Sequence, residues 1–433
     1  MSVVILTVVG LLALFLALGV WVSMSLFAVG IGSLWIFRDM PIERMLAQNF
    51  WNSTTSMELL ALPLFILMAE ILFRTRLAEK LFAGLTPWTT NLPGRLLHVN
   101  VLGCSLFAAV SGSSAATTVT VGRITLKELL ARGYDKRIVM GSLAGAGTLG
   151  FLIPPSVIMI IYGVLAEQSI LRMFLAGLLP GLALALCYMT YIGAWSLARP
   201  HRMPDDRLQF TWGQRLWALA ELLPVVILIL FVLGSMYAGI ATPTEGAAMG
   251  VLGAVLLSAV QRTLTLPSLF EALMAAVRTT SMIGLIIAGA VFVSTAMAFL
   301  GIPRFVAQSV GAMELSPIAL ILVLLALYVL LGCVLEGLSI IVMTLPITLP
   351  LIVQAGFDPI WFGVFLILVV ELAQITPPVG FNLFVIQGIT GEKLGTIAAA
   401  TLPFFVITLA FTVFIIFVPE LALFLPDAVM NRR

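Results

Sequence analysis

Hydrophobic residues run along this chain in long stretches without a charged residue, unlike the short amphipathic patterns of a soluble domain. These stretches include 3–37, 138–166, 173–198, 222–244, 279–303, 315–335, 337–357, 372–391 and 394–419. About 20 apolar residues suffice for one helical crossing of a bilayer. The pattern therefore predicts an all-α polytopic membrane protein, in which the 35 residues of 3–37 form two helices.

Two Pro-Pro pairs interrupt these apolar stretches in similar settings. The first is Pro154-Pro155, preceded by Gly-Phe-Leu-Ile, and the second is Pro377-Pro378, preceded by Ala-Gln-Ile-Thr. Proline removes a backbone donor and clashes with the preceding turn, so each pair predicts a broken helix. Broken backbone at membrane depth is tolerated only where it is buried in protein or lines a cavity. Paired breaks of this kind indicate the binding site of a secondary transporter.

A repeat with an offset of 223 to 225 residues relates the two halves of the chain. Gly112 and Gly337 differ by 225 positions, while Pro154 and Pro377 differ by 223. Each half contains a membrane helix, an interfacial segment, a long span with small or polar residues, the broken helix and a plain helix. The predicted ranges are 57–73, 74–96, 97–124, 138–165 and 171–197, then 280–300, 301–315, 317–350, 360–388 and 396–419.

Each long span, 97–124 or 317–350, is either one helix or a re-entrant hairpin. We favour hairpins because hydroxyls and a glycine lie at the centre of the first span and the second is long for one crossing. The fold expectation is inverted repeats with two re-entrant hairpins and two Pro-Pro-broken helices, in an elevator-type ion-transporter architecture. Scaffold segments would be 1–56, 57–96, 198–279 and 280–315, with transport segments 97–197 and 316–433.

Composition and charge support the membrane assignment. The chain is 61% hydrophobic and 10% charged, whereas soluble domains carry about 25% charged residues. Placing the basic segments 74–96, 123–137, 198–215 and 260–278, with Lys393, in the cytoplasm puts 16 of the 22 Lys and Arg residues on that side. Both termini would then be periplasmic. The three cysteines are expected to be small core residues, and a net charge of +2 gives no indication of a nucleic-acid partner.

The candidate chemistry lies where a hairpin tip meets a break. The tips are 111–118 and 336–339, and the breaks are 145–156 and 374–382. Unwound carbonyls and hydroxyls suit sodium, and half-helix N-termini suit an anionic substrate group. The alternative is that small residues only permit close helix packing. Because each tip precedes a Pro-Pro pair by about 40 residues in both halves, the site interpretation is preferred.

Six acidic residues within or beside apolar segments are further candidates, because an intramembrane acid is by default a functional hypothesis. Glu58, Glu221 and Glu245 fall near predicted helix ends and are expected to cap helices or reach the interface. Glu336 adjoins the second tip and is expected to brace the loop, with cation sensing as the alternative. Glu70 and Glu371 are expected to pair within the bundle or to face partner protein.

No motif of a common enzyme class or of a nucleotide-binding loop occurs, so the chain is not expected to be an enzyme and any transport would use an ion gradient. Four ordered segments, 111–119, 150–156, 241–248 and 375–384, resemble the large membrane subunit of TRAP transporters, the DctM-like proteins. The resemblance covers nearly the whole chain. It implies a sodium-coupled importer of organic acids in the bacterial inner membrane, with an elevator mechanism.

The resemblance also implies site residues and partners. Sodium would be the coupling ion, with no organic cofactor, at two sites composed of Ser111, Ser114, Gly147 and Pro154, and of Gly337, Thr376 and Val379. Substrate would contact Ser113, Thr117 and Asn382. The partners would be a small four-helix membrane subunit, a periplasmic substrate-binding protein and a small organic acid, within the lipid bilayer. The rival interpretations are a stand-alone sodium/anion symporter and a non-transporting scaffold or sensor subunit.

Overall fold

The computed structural model describes residues 1–204, 209–313, 315–378 and 380–430. Within those ranges the regular structure is helical, and no strand occurs. Six described helices are long and apolar enough to cross a membrane, and a bent pair could add a seventh span. The expected all-α polytopic membrane fold is confirmed.

The helices, in chain order, are α1 (Ser2–Ala17), α2 (Val22–Phe37), α3 (Ile42–Thr54), α4 (Ala61–Phe73), α5 (Leu77–Thr89), α6 (Leu97–Ser111), α7 (Ser114–Ala131), α8 (Lys136–Thr148), α9 (Val157–Leu165), α10 (Ile170–Ala198), α11 (Trp212–Tyr237), α12 (Pro243–Val260), α13 (Leu266–Leu300), α14 (Ile302–Gly311), α15 (Pro317–Gly332), α16 (Gly337–Gln354), α17 (Pro359–Gln374), α18 (Phe381–Thr390), α19 (Leu394–Phe417) and α20 (Glu420–Met430). Short 3₁₀ turns occur at Met57–Leu60 and Pro200–Arg202.

Helices α6 and α7 form the first hairpin. Gly112 ends α6 with φ +58°, a left-handed conformation that glycine adopts without a steric penalty. A Cβ added to Gly103 would lie 3.7 Å from Val121 Cγ1, although 18 positions separate the two residues. A straight helix would put them about 27 Å apart at 1.5 Å per residue. The chain therefore folds back on itself at 112–113, as the sequence predicts.

Helices α15 and α16 fold back in the same way. The Tyr328 hydroxyl on α15 lies 3.0 Å from the hydroxyl oxygens of both Thr344 and Thr348 on α16. These residues are 16 and 20 positions apart, so the arms lie side by side around the turn at 333–336. The second hairpin is also confirmed as a folded-back pair. That the two halves are inverted repeats stays a prediction.

Both Pro-Pro pairs break their helices. The first helix stops at Thr148 and resumes at Val157, and the second stops at Gln374 and resumes at Phe381. Each Pro-Pro peptide bond is cis. The broken helices lie at the centre of the fold, because α8 packs on both arms of the first hairpin and α17 packs on both arms of the second. Every residue from Ile360 to Gln374 is buried.

The helices outside the hairpins and broken helices form the rest of the bundle. Helix α13 packs against α2, α3 and α4, while α12 packs against α4 and α11 packs against α5. Helix α13 has 35 residues and is much longer than the roughly 20 needed for a crossing. These helices correspond to the segments expected to be scaffold, an expectation that stays a prediction.

Besides 74–96, which contains α5, two of the basic segments expected to be loops are largely helical. Helix α7 continues through Lys127 to Ala131, and α13 begins at Leu266, well before 279. The reason in the second case is local, because Thr265 and Ser268 form a capping box that starts the helix. Helices α3 and α20 were also not predicted, since charged residues interrupt their apolar pattern.

Candidate ion and substrate site

The first hairpin tip lies directly on the first Pro-Pro break. The Val157 amide donates to the Gly112 carbonyl at 3.3 Å. A Cβ on Gly112 would lie 2.9 Å from the Pro155 carbonyl oxygen, closer than real contacts allow. Ser111 Oγ lies 2.7 Å from Thr117 Oγ1, and the Thr117 hydroxyl donates to the Ser113 carbonyl at 2.8 Å. The tip is therefore a compact cluster of oxygen atoms against unwound backbone.

Asn382 joins this cluster from the other half of the chain. Its Nδ2 lies 2.9 Å from Ser114 Oγ, and its Oδ1 lies 3.1 Å from the same oxygen. Nδ2 also donates to the Ala144 carbonyl at 3.3 Å. A Cβ on Gly147 would lie 1.9 Å from Thr118 Oγ1 and 3.4 Å from Asn382 Nδ2. The structure thus brings Ser111, Ser114 and Gly147 of the predicted first sodium site into one buried region beside Asn382.

The second cluster surrounds the end of α17. A Cβ on Gly337 would lie 2.3 Å from Val370 Cγ1 and 3.4 Å from Gln374 Nε2, so the second tip also sits against its broken helix. The Thr376 hydroxyl donates to the Leu372 carbonyl at 2.6 Å, and the Thr376 carbonyl accepts from the Gly380 amide at 2.8 Å. Gly337 and Thr376 therefore flank the same helix end. Val379, assigned to this site, lies outside the described residues.

A cavity of about 470 Å³ lies between the two hairpin tips and the helices α4 and α13. First-turn or capping residues of four half-helices line it: Ser113 of α7, Val157 of α9, Leu338 of α16 and Phe381 of α18. Ser111, Gln374 and Glu336 add polar groups. Helix N-termini carry unpaired amides and a partial positive charge, so this arrangement suits an anion.

The three residues expected to contact substrate have different settings. Ser113 lines the cavity and caps α7. Thr117 and Asn382 are fully buried, do not line this cavity, and direct their polar atoms into the hydrogen bonds described above. Pro154, which was assigned to the first sodium site, lies in the break between α8 and α9. In this structure Ser113 is thus the predicted substrate residue that is open to a ligand.

The cavity also has walls that sequence reasoning missed. Thr279 and Met282 of α13 and Phe73 of α4 line it from the side opposite the tips. Ser156, at the end of the first break, is fully buried, and its hydroxyl has no hydrogen-bond partner in the described part of the chain. Ser156 is the last residue of the predicted break 145–156, but no role is assigned to it from the sequence. No local signal distinguishes the residues of α13.

Three of the six acidic residues have specific partners. Glu70 lies 2.7 Å from Arg74 Nη1, which confirms its expected pairing, and its side chain lines the cavity. Glu245 forms a capping box with Thr242, as expected for a helix end. Glu221 instead lies well inside α11 and pairs with Lys80 at 3.1 Å, because α11 begins at Trp212 rather than near 217.

The other three acids have different surroundings. Glu58 is exposed in a 3₁₀ turn. Glu336 is the N-terminal capping residue of α16 and lines the cavity. Glu371 is fully buried, and neither of its carboxyl oxygens has a hydrogen-bond partner among the described residues, so the expected pairing is wrong.

Sequence comparison decides the family to which this arrangement belongs. A profile of the family described as "Tripartite ATP-independent periplasmic transporter, DctM component" matches residues 9–421. The chain belongs to this family. The resemblance to DctM-like large subunits is therefore confirmed, and with it the assignment to a multi-pass transporter permease.

Several relatives match nearly the whole chain. The C4-dicarboxylate TRAP transporter large permease protein DctM of Pseudomonas aeruginosa is 34% identical over 385 residues, which are 89% of this chain and 90% of the relative. The protein of the same description from Rhodobacter capsulatus is 33% identical and covers 98% of each. The isethionate TRAP transporter permease protein DctMQ of Oleidesulfovibrio alaskensis is 31% identical over 96% of this chain, which spans 65% of that relative's length.

Two solved structures share the DctM-family chain's fold at low sequence identity. The YdaH transporter of Alcanivorax borkumensis has a TM-score of 0.59 at 13% identity and covers 86% of each chain. MtrF of Neisseria gonorrhoeae has a TM-score of 0.55 at 13% identity, over 89% of this chain and 84% of that one. At this identity the likeness concerns the fold alone.

Proposed function

We propose that this chain is the large membrane subunit of a sodium-coupled tripartite transporter that imports a small organic acid into a bacterial cell. A periplasmic binding protein would deliver the acid, and a small four-helix subunit would complete the complex in the inner membrane, with both termini of this chain periplasmic. The observation that carries the proposal is the meeting of four half-helix N-termini at one 470 Å³ cavity.

The cavity's chemistry supports an anionic substrate. Its volume lies within the roughly 300–1,000 Å³ range of small-molecule sites. No lysine or arginine is among its described lining residues, so peptide amides at helix N-termini and hydroxyls such as Ser113 would bind the acid group. The names of the relatives above include a C4-dicarboxylate and a sulfonate, isethionate. A small carboxylate is the class we propose for this chain.

Sodium fits the oxygen atoms around the first tip. The hydroxyls of Ser111 and Ser114 and the unwound carbonyls near Gly147 and Pro154 are hard ligands, and the buried hydroxyl of Ser156 has no other described partner. Gly337, Thr376 and Val379 would form the second site around the end of α17. Bound cations beside the cavity would also offset the charge of an acid as it leaves water.

The position of the cavity supports an elevator movement. One wall consists of the hairpin tips and broken helices, and the opposite wall consists of α4 and α13. The hairpins and broken helices pack on one another, so they could move together past α4 and α13. The substrate would then travel with the moving wall while α4 and α13 stay fixed.

Uptake by proteoliposomes tests the proposal. Labelled organic acids would be offered to vesicles containing this chain alone, or this chain with its small subunit and binding protein, each with and without a sodium gradient. We expect uptake only with all three proteins and sodium. Uptake with this chain alone would favour the stand-alone symporter instead. An absence of ion-dependent uptake by the complete system would favour a non-transporting scaffold.

The sodium sites have a separate test. Ser111→Ala and Thr376→Ala are expected to raise the sodium concentration that gives half-maximal uptake, because each removes an oxygen ligand. Ser105→Ala and Thr190→Ala are matched controls, since each hydroxyl bonds only within its own helix, at 2.8 Å in both cases. Equal sodium dependence in all four folded variants would exclude these site assignments.

A further inference from the structure

Glu371 is an acidic side chain in the interior of the bundle, and it has no role in the proposed transport site. It lies on α17, five positions before Thr376, and its exposed fraction is 0%. Neither carboxyl oxygen has a hydrogen-bond partner among the described residues. The 470 Å³ cavity is not lined by it. Buried polar groups are almost always paired, so this one requires a physical explanation.

No positive charge within the described residues compensates this carboxyl group. Helix α17 packs against α8, α9, α10, α15, α16, α18, α19 and α20. The charged residues on those helices lie in end turns or on α20: Lys136, Arg137, Arg172, Glu420 and Asp427. Arg172 pairs with Asp427 at 3.4 Å and Lys136 with Glu392 at 2.5 Å, both away from Glu371. An ionised Glu371 would be a buried charge without a counterion, which is strongly unfavourable.

Two hydroxyl groups interact with the carboxyl group across the helix interface without forming a hydrogen bond to it, those of Thr148 on α8 and Tyr188 on α10. The other titratable groups on the surrounding helices are Cys187, Tyr191, and the phenols of Tyr162 and Tyr328, whose hydroxyls bond to the Pro359 carbonyl and to Thr344 and Thr348. The chemistry around Glu371 is therefore set by Thr148 and Tyr188.

Both of these hydroxyls already donate their protons elsewhere. Thr148 Oγ1 donates to the Gly145 carbonyl at 2.8 Å. Thr408 Oγ1 donates to the Phe404 carbonyl at 2.9 Å, so in its 2.6 Å contact with Tyr188 the phenol must be the donor. Each hydroxyl has one proton, so only the lone pairs of its oxygen are available to Glu371. An ionised carboxylate only accepts hydrogen bonds, whereas a protonated carboxyl can donate one to such an oxygen.

We propose that Glu371 is a proton-binding site, a neutral carboxylic acid whose side chain turns, once protonated, to donate a hydrogen bond to Thr148 Oγ1. The bond ties α17 to the last residue of the first half of the broken helix, next to Gly147. Glu371 is then a positioning residue that joins the two breaks. The carboxyl group is fully enclosed, so the proton stays bound during transport and is not exchanged with solvent in each cycle.

Infrared spectroscopy of the purified chain tests the proton directly and needs no transport. We expect a carbonyl stretch of a protonated carboxyl at neutral pH that disappears in Glu371→Gln and persists in Glu420→Gln, a matched change on the exposed part of α20. Thr148→Val removes the acceptor and should shift the same band to higher frequency. A spectrum in which the parent and Glu371→Gln do not differ in this region would overturn the proposal.

Transport distinguishes a resident proton from an exchanged one. The amide of glutamine is neutral and can donate, so Glu371→Gln should retain uptake with the parent's pH profile, whereas Glu371→Leu should lose uptake. Loss of pH dependence in an active Glu371→Gln variant would show that the proton is exchanged, and inactivity of a folded Glu371→Gln variant would show that the ionised form is needed. Either result would refute the proposal. If no acid is transported by the parent, the infrared result still decides it.

Discussion

Gly147→Ala is the substitution for which the structure makes the sharpest prediction. A Cβ at position 147 would lie 1.9 Å from Thr118 Oγ1, and an ordinary contact is at least 3.4 Å, so the oxygen must move by about 1.5 Å. Thr118 is fully buried and its hydroxyl donates to the Ser114 carbonyl at 2.9 Å. Overpacking of this kind lowers the free energy of unfolding by about 1–3 kcal/mol.

A double-mutant cycle attributes this loss to one contact. Thr118→Ala removes the oxygen, after which the nearest atom to the new methyl group at 147 is the Thr118 Cβ at 3.1 Å. The double variant should therefore recover most of the loss, with a coupling free energy of about 1 kcal/mol or more. Denaturant unfolding of the four proteins in one detergent gives the measurement, and Gly388→Ala is the control, since nothing lies within 4 Å of a Cβ there.

Two results would contradict this reasoning. If Gly147→Ala were as stable as Gly388→Ala, the close approach of α8 to α7 would be wrong. If Gly147→Ala were destabilised equally with and without Thr118→Ala, the loss would come from another contact. The sodium dependence of uptake is a second readout, because the same displacement moves Ser114 and should weaken sodium binding.

Three further changes have defined outcomes. Asn382→Leu leaves the Ser114 hydroxyl without its hydrogen-bond partner and should reduce the free energy of unfolding by about 1–3 kcal/mol relative to the parent protein; thermal melts of the two check this, and equal melting would contradict it. Ser113→Ala removes the cap of α7 and should reduce it by about 0.5–2 kcal/mol, whereas Ser113→Asn should retain it, and equal melting of both would contradict the capping role. Tyr328→Phe removes the link between the arms of the second hairpin and should increase amide exchange in 337–348 but not in the first hairpin.

The breaks and hairpin turns were predictable because their causes are local. Proline cannot continue a helix, and Gly112 adopts a left-handed conformation at the first tip, so each feature follows from a few neighbouring residues. The apolar stretches likewise predict most helices. The pairing across the second hairpin, Tyr328 with Thr344 and Thr348, follows once a turn is placed near 336.

Features that depend on distant packing were not predictable. The start of α13 was missed for a different, local reason: charges before residue 279 suggest a loop, but a capping box at Thr265 starts the 35-residue helix there. Glu221 pairs with Lys80, which is 141 positions away. Thr279 and Met282 enter the cavity only through the packing of α13 beside α4. Their sequence context is that of ordinary membrane helix.

The contacts between the halves bear on how the two breaks act. Asn382 of the second broken helix bonds to Ser114 at the first tip, α18 packs on α7, and α19 packs on α8. The two halves of the chain are therefore interleaved in space. If sodium binds at the first tip as proposed, it would also hold Ser114 and, through Asn382, the start of α18, which lines the cavity at Phe381. Binding at the first tip would thus have a hydrogen-bonded route to the second broken helix, on the same side of the cavity, without any movement of α4 or α13.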